Sequence, residues 1–366
     1  MNDEELLYQL SISLIPGIGP RLAKKLISYS GSAREVFKEK AKTLCKIEGI
    51  NVNLARSIQH FSNFKGAEDE LNFIRKNDII TRFFNDEDYP YRLRYCNDAP
   101  ILLFGKGKIN WNPQKSLSIV GTRRSSAYGE KQCLKIIEEL ASTQLSIISG
   151  MAYGIDIHAH RAALKNNLST IAIVAHGLDR LYPSIHRDVL AQMMEKGGVI
   201  TEFMSGSNPD RENFPKRNRI IAGFSDATLV VESGARGGSM ISAEIAASYN
   251  RDVFALPGNI GSPMSEGCNY LIHTQKATLV RGAKDIKKVM NWHEKEAKKP
   301  VQTTLFVELD EVEQKIISLL HHKGGCTIDT ISIEIGFPVS KTSVHLLNLE
   351  FKGLIVSLPG KVYKVM

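Results

Sequence analysis

Several segments of this 366-residue sequence combine glycine, serine and basic residues at points where an apolar run ends and a helical pattern begins. Glycine lets a ligand approach the backbone closely, N–H groups at a helix start attract anions, and arginine can grip a phosphate through two hydrogen bonds. The candidate residues are, in chain order, Gly121, Thr122, Arg123, Arg124, Ser149, Gly150, Gly154, Lys216, Arg217, Asn218, Arg219, Arg236, Gly238 and Ser239. Their chemistry is that of a polyphosphate or nucleic-acid groove.

A second candidate lies near the N-terminus, in the stretch Ile15-Pro16-Gly17-Ile18-Gly19-Pro20-Arg21. A Gly-apolar-Gly turn lets two helices meet closely and presents backbone N–H groups at the start of the second helix. The pattern predicts a helix-hairpin-helix that touches the nucleic-acid backbone without reading its sequence, although a hairpin that only packs is the alternative. The accessory contact would comprise Gly17, Gly19, Lys24 and Lys25.

Signatures of common enzyme and metal sites do not occur in the sequence. It has no GxxxxGK[ST], GxSxG or HExxH motif, and no GxGxxG follows the first strand of the alternating region. His158 and His160 are two residues apart, so on a helix they point in different directions. The five cysteines are scattered without a CxxC pair, which fits a reducing cytoplasm. We therefore expect no catalytic residue, cofactor or metal.

Charge is distributed unevenly along the chain. The net charge of +8 comes from 47 basic and 39 acidic residues, while 43% of the residues are apolar, as in globular proteins. Residues 1–65 hold 10 basic and 6 acidic residues, and residues 101–285 hold 21 and 16. Residues 306–366 hold 6 and 7, with no arginine. A polyanionic partner is therefore expected at the N-terminal and central parts.

The order of elements predicts four regions. Residues 1–65 read as short helices, a small all-α helix-hairpin-helix domain. Within residues 66–285, apolar β-branched runs alternate with helical stretches from about residue 116 onward, which predicts an α/β fold: a doubly wound, mostly parallel sheet of extended Rossmann-like type. Residues 286–305 are a charged linker. Residues 306–366 read as three helices and a hairpin turned at Pro359-Gly360, the layout of a winged helix.

Six ordered stretches give the sequence a family resemblance: GTRR, SGMAYGID, HGLDRLYP at 176–183, FPKRNRIIAG, SGARGGSMISAEIA and FALPGNIGSPMSEGCNYLI. Together they resemble the DNA-processing protein A family over residues 85–282. Thr122 replaces the usual serine of the first motif, and Met240 replaces a leucine. Neither change removes a backbone donor or an arginine, so the resemblance extends to the binding residues.

The resemblance implies a function as well as a fold. It implies a protein that binds single-stranded DNA, forms a homodimer, protects incoming strands during natural transformation and loads a RecA-type recombinase for homologous recombination. It also admits a single-strand-binding protein as a partner. The family is not known as an enzyme. No apolar run is long enough for a membrane helix and the acidic N-terminus lacks a signal-peptide pattern, so we expect a cytoplasmic protein without membrane contact.

Two other functions remain as alternatives. Gly237-Gly238-Ser239 with Glu244 resembles the GGxGTxxE signature of nucleotide phosphoribohydrolases, but Ser239-Met240 stands where that signature has Gly-Thr. Release of a free base from a nucleotide would identify such an enzyme. A transcription regulator using the winged helix is the other alternative. The acidic balance of 306–366 instead favours a surface for protein contacts.

Overall fold

The computed structural model describes residues 3–292, 309–358 and 362–365, which fall into two units, residues 1–294 and 295–366. The first unit begins with six helices. The turn before the second helix has Gly17 at φ 80°, and Pro20 occupies the first helical position, where no N–H is needed. The helices are α1 (Asp3–Ser13), α2 (Pro20–Ser30), α3 (Ala33–Val36), α4 (Ala41–Leu44), α5 (Val52–Gln59) and α6 (Phe64–Lys76).

A shared core joins these helices to the sheet. Leu10, Leu26 and Ile58 are fully buried in one apolar cluster, and this cluster continues onto Phe83 and Leu102 of the first two strands. The N-terminal helices therefore pack on the following α/β region within one unit. The divisions at residues 65 and 285 stay predictions.

The sheet has nine strands in the order β1-β2-β6-β5-β4-β3-β7-β8-β9. Strands β3 to β9 are parallel, whereas β2 runs antiparallel to β1 and β6. The chain proceeds outward from β3 to β6 and then returns to place β7 on the other side of β3. The predicted doubly wound, mostly parallel sheet is confirmed, and its switch point lies between β3 and β7. The strands are β1 (Ile80–Phe83), β2 (Leu102–Lys106), β3 (Ser116–Val120), β4 (Ser146–Ser149), β5 (Thr170–Ile173), β6 (Gly198–Thr201), β7 (Ala227–Val230), β8 (Asp252–Ala255) and β9 (Thr278–Leu279).

Helices cover both faces of the sheet, as a buried parallel sheet requires. On one face Ile148 of β4 packs with Ile220 and Ala243 of two helices, and on the other Ile147 packs with Ile136. The helices are α7 (Tyr91–Arg94), α8 (Ala127–Leu140), α9 (Ile155–Lys165), α10 (Arg187–Met193), α11 (Asn213–Phe224), α12 (Gly238–Ser248), α13 (Glu266–His273) and α14 (Ala283–Val289). No helix among the described residues has the length and hydropathy to cross a membrane.

The second unit confirms the predicted winged helix. Asp310 and Glu313 form a capping box at the start of its first helix. Its three strands pair in the order β10-β12-β11. The predicted turn at Pro359-Gly360 and linker residues 293–305 lie outside the described residues. The elements are α15 (Glu311–Lys323), β10 (Cys326–Thr327), α16 (Ile328–Ile335), α17 (Val339–Phe351), β11 (Ile355–Leu358) and β12 (Val362–Val365).

Candidate nucleic-acid interface

The loops after β3, β4 and β7 meet at the switch point of the sheet. The N–H of Thr122 donates to the carbonyl of Glu232 at 2.8 Å, and the N–H of Ile155 donates to the carbonyl of Thr122 at 3.2 Å. Gly154 has φ 74°, and a Cβ there would lie 2.2 Å from the oxygen of Thr122. Only glycine fits this position without displacing the loop that carries Arg123.

A hollow of about 320 Å³ opens over these loops and the start of α12; we call it the central groove. Its lining includes residues from four segments that are distant in the sequence, which the parallel strands bring to one edge. Phe214 of the FPKRNRIIAG stretch lies in its wall. Seven of the fourteen predicted residues line it: Gly121, Thr122, Arg123, Arg217, Asn218, Gly238 and Ser239.

Arg123 is the exposed cation of the central groove. Its guanidinium lies 4.9 Å from the centroid of the Phe214 ring, a cation–π contact that holds the side chain over the groove. Among the residues that the structure describes, no carboxylate pairs with it. Its N–H groups are therefore available to an anionic ligand.

Arg217 is buried, which corrects the expectation of a solvent-facing phosphate donor. Its side chain is 4% exposed, and one terminal nitrogen donates to the carbonyl oxygens of Gly150 and Ile173, the latter at 2.6 Å. Burial lowers the pKa of Arg217 to about 10, while Asp156 beneath it opposes the shift. Burial also raises the pKa of Asp156, which accepts from the N–H of Ala152. Arg217 supports the floor of the groove.

Arg219 also differs from the expectation. Its guanidinium pairs with the carboxylate of Glu202 and donates to the carbonyl of Asp98, and both members of the ion pair are largely buried. Burial raises the pKa of Glu202, and Arg219 opposes that shift. This side chain fixes α11 to the sheet and does not line the groove. Its predicted role in binding DNA is thereby corrected to a structural one.

Other predicted residues are either buried serines that bond within the protein or exposed basic residues. Ser149 is buried and its hydroxyl donates to the carbonyl of Ile119 at 2.6 Å. The hydroxyl of Ser239, also buried, donates to that of Ser233. Three predicted basic side chains are exposed and supply positive charge on this part of the surface: Arg124, Lys216 and Arg236.

The N-terminal hairpin has the predicted turn, and Gly17 and Gly19 are exposed there. The Nζ of Lys24 lies 5.9 Å from the centroid of the Phe84 ring, and burial lowers the pKa of Lys24. Lys25 pairs with Glu48 at 2.7 Å on the surface. Both lysines therefore have partners within the protein, and contact of this hairpin with DNA stays a prediction.

Two tyrosines that the sequence analysis did not select line a small hollow beside Arg123. Tyr153 and Tyr182 are about half exposed, and they share this hollow with His176 and Phe214. Tyr153 lies within SGMAYGID and Tyr182 within HGLDRLYP. The presence of an aromatic residue in each of these motifs is the sequence feature that could have identified them. Their rings offer faces on which bases could stack.

His158 and His160, the two histidines that the sequence places two residues apart, each contact another side chain of the protein. The Nδ1 of His160 lies 2.7 Å from the hydroxyl of Thr170, and His158 lies 3.4 Å from a carboxylate oxygen of Glu130. In the winged helix, Asp310, Glu313 and His345 come within 4.8 Å of one another. Glu313 already pairs with Lys352 at 2.6 Å and completes the capping box, so this group has a structural role.

Acid should destabilise the first unit through its buried histidines. Burial lowers the pKa of His160 from 6.5 to about 3, and burial also lowers the pKa values of His176 and His186. His160 binds a proton more weakly in the folded protein than in the unfolded protein. The folded state is therefore most stable above pH 6.5, and it loses stability as the pH falls from 6.5 towards 3. At about pH 5 the loss from His160 alone is about 2 kcal/mol. Thermal unfolding across this range should show it.

The variant His160→Gln serves as the control for this titration, because glutamine carries no proton-binding ring. Its melting temperature is expected to fall less steeply with acidification than that of the parent protein. Equal slopes for the two proteins would contradict the assignment of the pH dependence to His160.

Models of three protein families match the chain. "DNA recombination-mediator protein A" matches residues 80–291, the "DprA winged helix domain" matches residues 300–361, and a "SAM-like helix-hairpin-helix tandem" matches residues 10–60. Along the chain, the helix-hairpin-helix match comes first, the recombination-mediator match second and the winged-helix match third. They bear out the sequence resemblance over most of the chain.

Individual relatives agree with these matches. The chain is 35% identical to Protein Smf of Escherichia coli over 314 residues, which cover 83% of each sequence. It is 40% identical to DNA processing protein DprA of Streptococcus pneumoniae over 201 residues, 55% of this chain and 71% of that protein.

Solved structures give the same result for the fold. The structure of DprA from Streptococcus pneumoniae is similar with a TM-score of 0.66 and 31% identity, covering 79% of this chain and 98% of that one. The Helicobacter pylori protein, described for its single-stranded DNA binding mode, has a TM-score of 0.53 and 27% identity. That similarity covers 58% of this chain and 95% of the other.

Proposed function

We propose that this chain, which belongs to the DNA recombination-mediator protein A family, binds single-stranded DNA in the central groove and mediates recombination. The observation that carries the proposal is Arg123, an exposed guanidinium on the turn at the switch point of the sheet, which pairs with no carboxylate among the described residues. The similarity to the Helicobacter pylori protein, which has a described single-stranded DNA binding mode, supports it.

The chemistry of the groove suits an unpaired strand better than a duplex. Backbone N–H groups of the glycine-rich loops and exposed basic side chains, Arg123 among them, can follow the phosphates. Tyr153, Tyr182 and Phe214 place aromatic rings beside them, and such rings stack on bases that a duplex would keep paired. The groove itself is a hollow between the strand-end loops and the starts of α11 and α12.

Finer aspects of the role follow from family membership. We propose that the protein acts as a homodimer in the cytoplasm, protects strands taken up during natural transformation, and loads a RecA-type recombinase onto them. A single-strand-binding protein is a further proposed partner. These proposals extend the binding activity to its place in recombination, and each is open to test with purified partners.

The enzyme alternative finds less support in the structure. Glu244, the acid of the phosphoribohydrolase signature, pairs with Lys276 at 3.0 Å on the surface and does not line the central groove. The hydroxyl of Ser239 is buried against Ser233. We therefore propose a binding protein without catalytic activity. Release of free base from a nucleoside monophosphate by the purified chain would contradict this.

Salt titration of binding tests the proposed function. At moderate salt the chain should bind single-stranded DNA more tightly than duplex of the same length, and its affinity should fall steeply with salt through counterion release. Fluorescence anisotropy with matched strands measures both. Equal affinity for the two forms would count against a single-strand site.

Removing the winged helix should leave single-strand binding nearly unchanged. The exposed face of α17 carries Val344, Leu347 and Phe351, and Lys341 is its one basic residue among the described residues of that helix. Such a face offers little to phosphates. A chain ending near Lys299 keeps the whole first unit and should remain folded.

Gel-shift titration of the shortened chain beside the full chain measures the effect, after both are shown to have the same oligomeric state. A tenfold drop in affinity, about 1.4 kcal/mol, would restore the winged helix as a DNA-binding element. Any loss is expected instead in recruitment of a protein partner.

A further inference from the structure

A second hollow, of about 440 Å³, lies beside the central groove at the ends of β7 and β8; we call it the polar hollow. Its wall includes side chains that follow these two strands and others at the start of α8. They are Ser126, Tyr128, Glu232, Asn259, Ser262 and Ser265. None of these six residues belongs to the predicted binding residues.

Several polar groups in this wall lack a protein partner. Within the part of the chain that the structure describes, the side chains of Asn259, Ser262 and Ser265 form no hydrogen bond. Glu232 is 4% exposed, and its two oxygens accept from the N–H of Ser126 at 2.9 Å and from its hydroxyl at 2.5 Å. Each carboxylate oxygen keeps a further lone pair, so the hollow can both donate to a ligand and accept from it.

The charge of the hollow selects against phosphate. Its lining includes the carboxylate of Glu232 and no lysine, arginine or histidine. A second anion beside a buried carboxylate would be repelled, whereas a neutral group with N–H donors would be stabilised. The partly exposed ring of Tyr128, whose hydroxyl donates to the carbonyl of Pro257, adds an aromatic face. A neutral, planar, hydrogen-bonding ligand fits these properties.

Glu232 lines the polar hollow and also contacts the turn that carries Arg123. Its backbone carbonyl accepts from Thr122 beneath the arginine turn, and a Cβ on Gly121 would lie 3.0 Å from that oxygen. Its side chain turns the other way, towards Ser126 and the polar hollow. The turn that carries Arg123 and Arg124 is therefore joined to the polar hollow through a single residue, Glu232.

We propose that the polar hollow receives one unpaired nucleobase of the strand held in the central groove, and that guanine is its preferred base. The proposal rests on the proposed single-strand binding. The edge of a nucleobase carries both hydrogen-bond donors and hydrogen-bond acceptors, with which these hydroxyl and amide groups can pair. Guanine presents two adjacent donors, N1–H and the 2-amino group, to the free lone pairs of Glu232, whereas thymine presents one N–H.

The test compares strands that differ in one base. A thymidine strand of about 20 nucleotides carries thymine, guanine or hypoxanthine at its centre. This length exceeds the roughly 4–16 nucleotides that a single OB fold covers in other single-strand-binding proteins. The full chain should bind the guanine strand at least about fivefold more tightly than the all-thymidine strand. Hypoxanthine, which lacks the 2-amino group, should give an intermediate affinity.

Ser262→Tyr fills the polar hollow from a loop position and removes no hydrogen bond within the described structure. It should abolish the preference for guanine while leaving the affinity for the all-thymidine strand, and its dependence on salt, unchanged. Ser248→Tyr is the matched control. Ser248 is exposed at the far end of α12, about 15 Å along the helix from its first residue, Gly238, so its variant should keep the preference.

Three results would overturn the proposal. One is equal affinity of the parent protein for the guanine and all-thymidine strands, and another is a guanine preference that survives in Ser262→Tyr. A third is a changed oligomeric state of Ser262→Tyr with DNA binding intact, which would assign the hollow to a protein contact. Failure of the parent protein to bind even the all-thymidine strand would instead overturn the single-strand function itself, and this hollow's role with it.

Discussion

Replacing Arg217 with alanine should lower the free energy of unfolding by about 3 kcal/mol or more. The buried guanidinium donates to the carbonyls of Gly150 and Ile173 and lies above the buried carboxyl of Asp156. Alanine would leave those oxygens without a donor and the acid without a nearby cation, and buried groups left unpaired are costly. Denaturant unfolding at neutral pH measures the change.

Arg123→Ala is the matched control, because Arg123 contacts the same Phe214 ring as Arg217 but is exposed. Its midpoint of unfolding should remain close to that of the parent protein. Gly150→Ala should destabilise as Arg217→Ala does, since a Cβ at this position would lie 2.0 Å from Arg217. Unchanged stability of Arg217→Ala would show that its buried contacts are dispensable.

The layout of the sheet could be predicted because each parallel strand is a short, continuous apolar run followed by a helix-length segment. The two antiparallel strands β1 and β2 were missed. They have no crossover helix between them, and only the short α7 lies in that connection. Strand β10 was missed because it has two residues, too few for any alternation to show. Pairing with distant strands, which the local sequence does not encode, creates these elements.

The candidate site was predictable in position but only partly in detail. Residues that follow β3, β4 and β7 must meet at one edge of the sheet, so Arg123 and the glycines were found. Arg217 and Arg219 are two positions apart on α11, and such residues do not share a helix face. Both side chains are largely buried, because Arg217 contacts Gly150 and Ile173 while Arg219 contacts Glu202 and Asp98. These partners are distant in the sequence.

Lysines in the N-terminal hairpin show the same limit. Their spacing placed Lys24 and Lys25 near the start of α2, as the structure has them. The ring of Phe84 and the carboxylate of Glu48, which they contact, come from other elements. A charge pattern in the sequence therefore identifies cations but not their availability to a ligand.

Replacing Arg123 with alanine should weaken binding of single-stranded DNA at least about fivefold, or about 1 kcal/mol, as loss of a charge-assisted hydrogen bond does. The exposed guanidinium is held by the Phe214 ring and has no carboxylate partner among the described residues, so it can contact a phosphate at little ordering cost. The slope of log affinity against log salt should also fall by about 0.7, for one lost phosphate contact. Salt-titrated fluorescence anisotropy measures both quantities.

Two further variants locate the main binding site. Arg123→Lys keeps the charge but loses the planar fork, so its affinity should lie between those of the parent protein and Arg123→Ala. Lys24→Ala removes a cation that already contacts Phe84 and is partly buried, so it should weaken binding less than Arg123→Ala. All three variants are measured with the same strand, so the order of their affinities identifies the main binding site. If Lys24→Ala proves the more damaging, strands bind chiefly at the N-terminal hairpin and the central groove is the secondary contact.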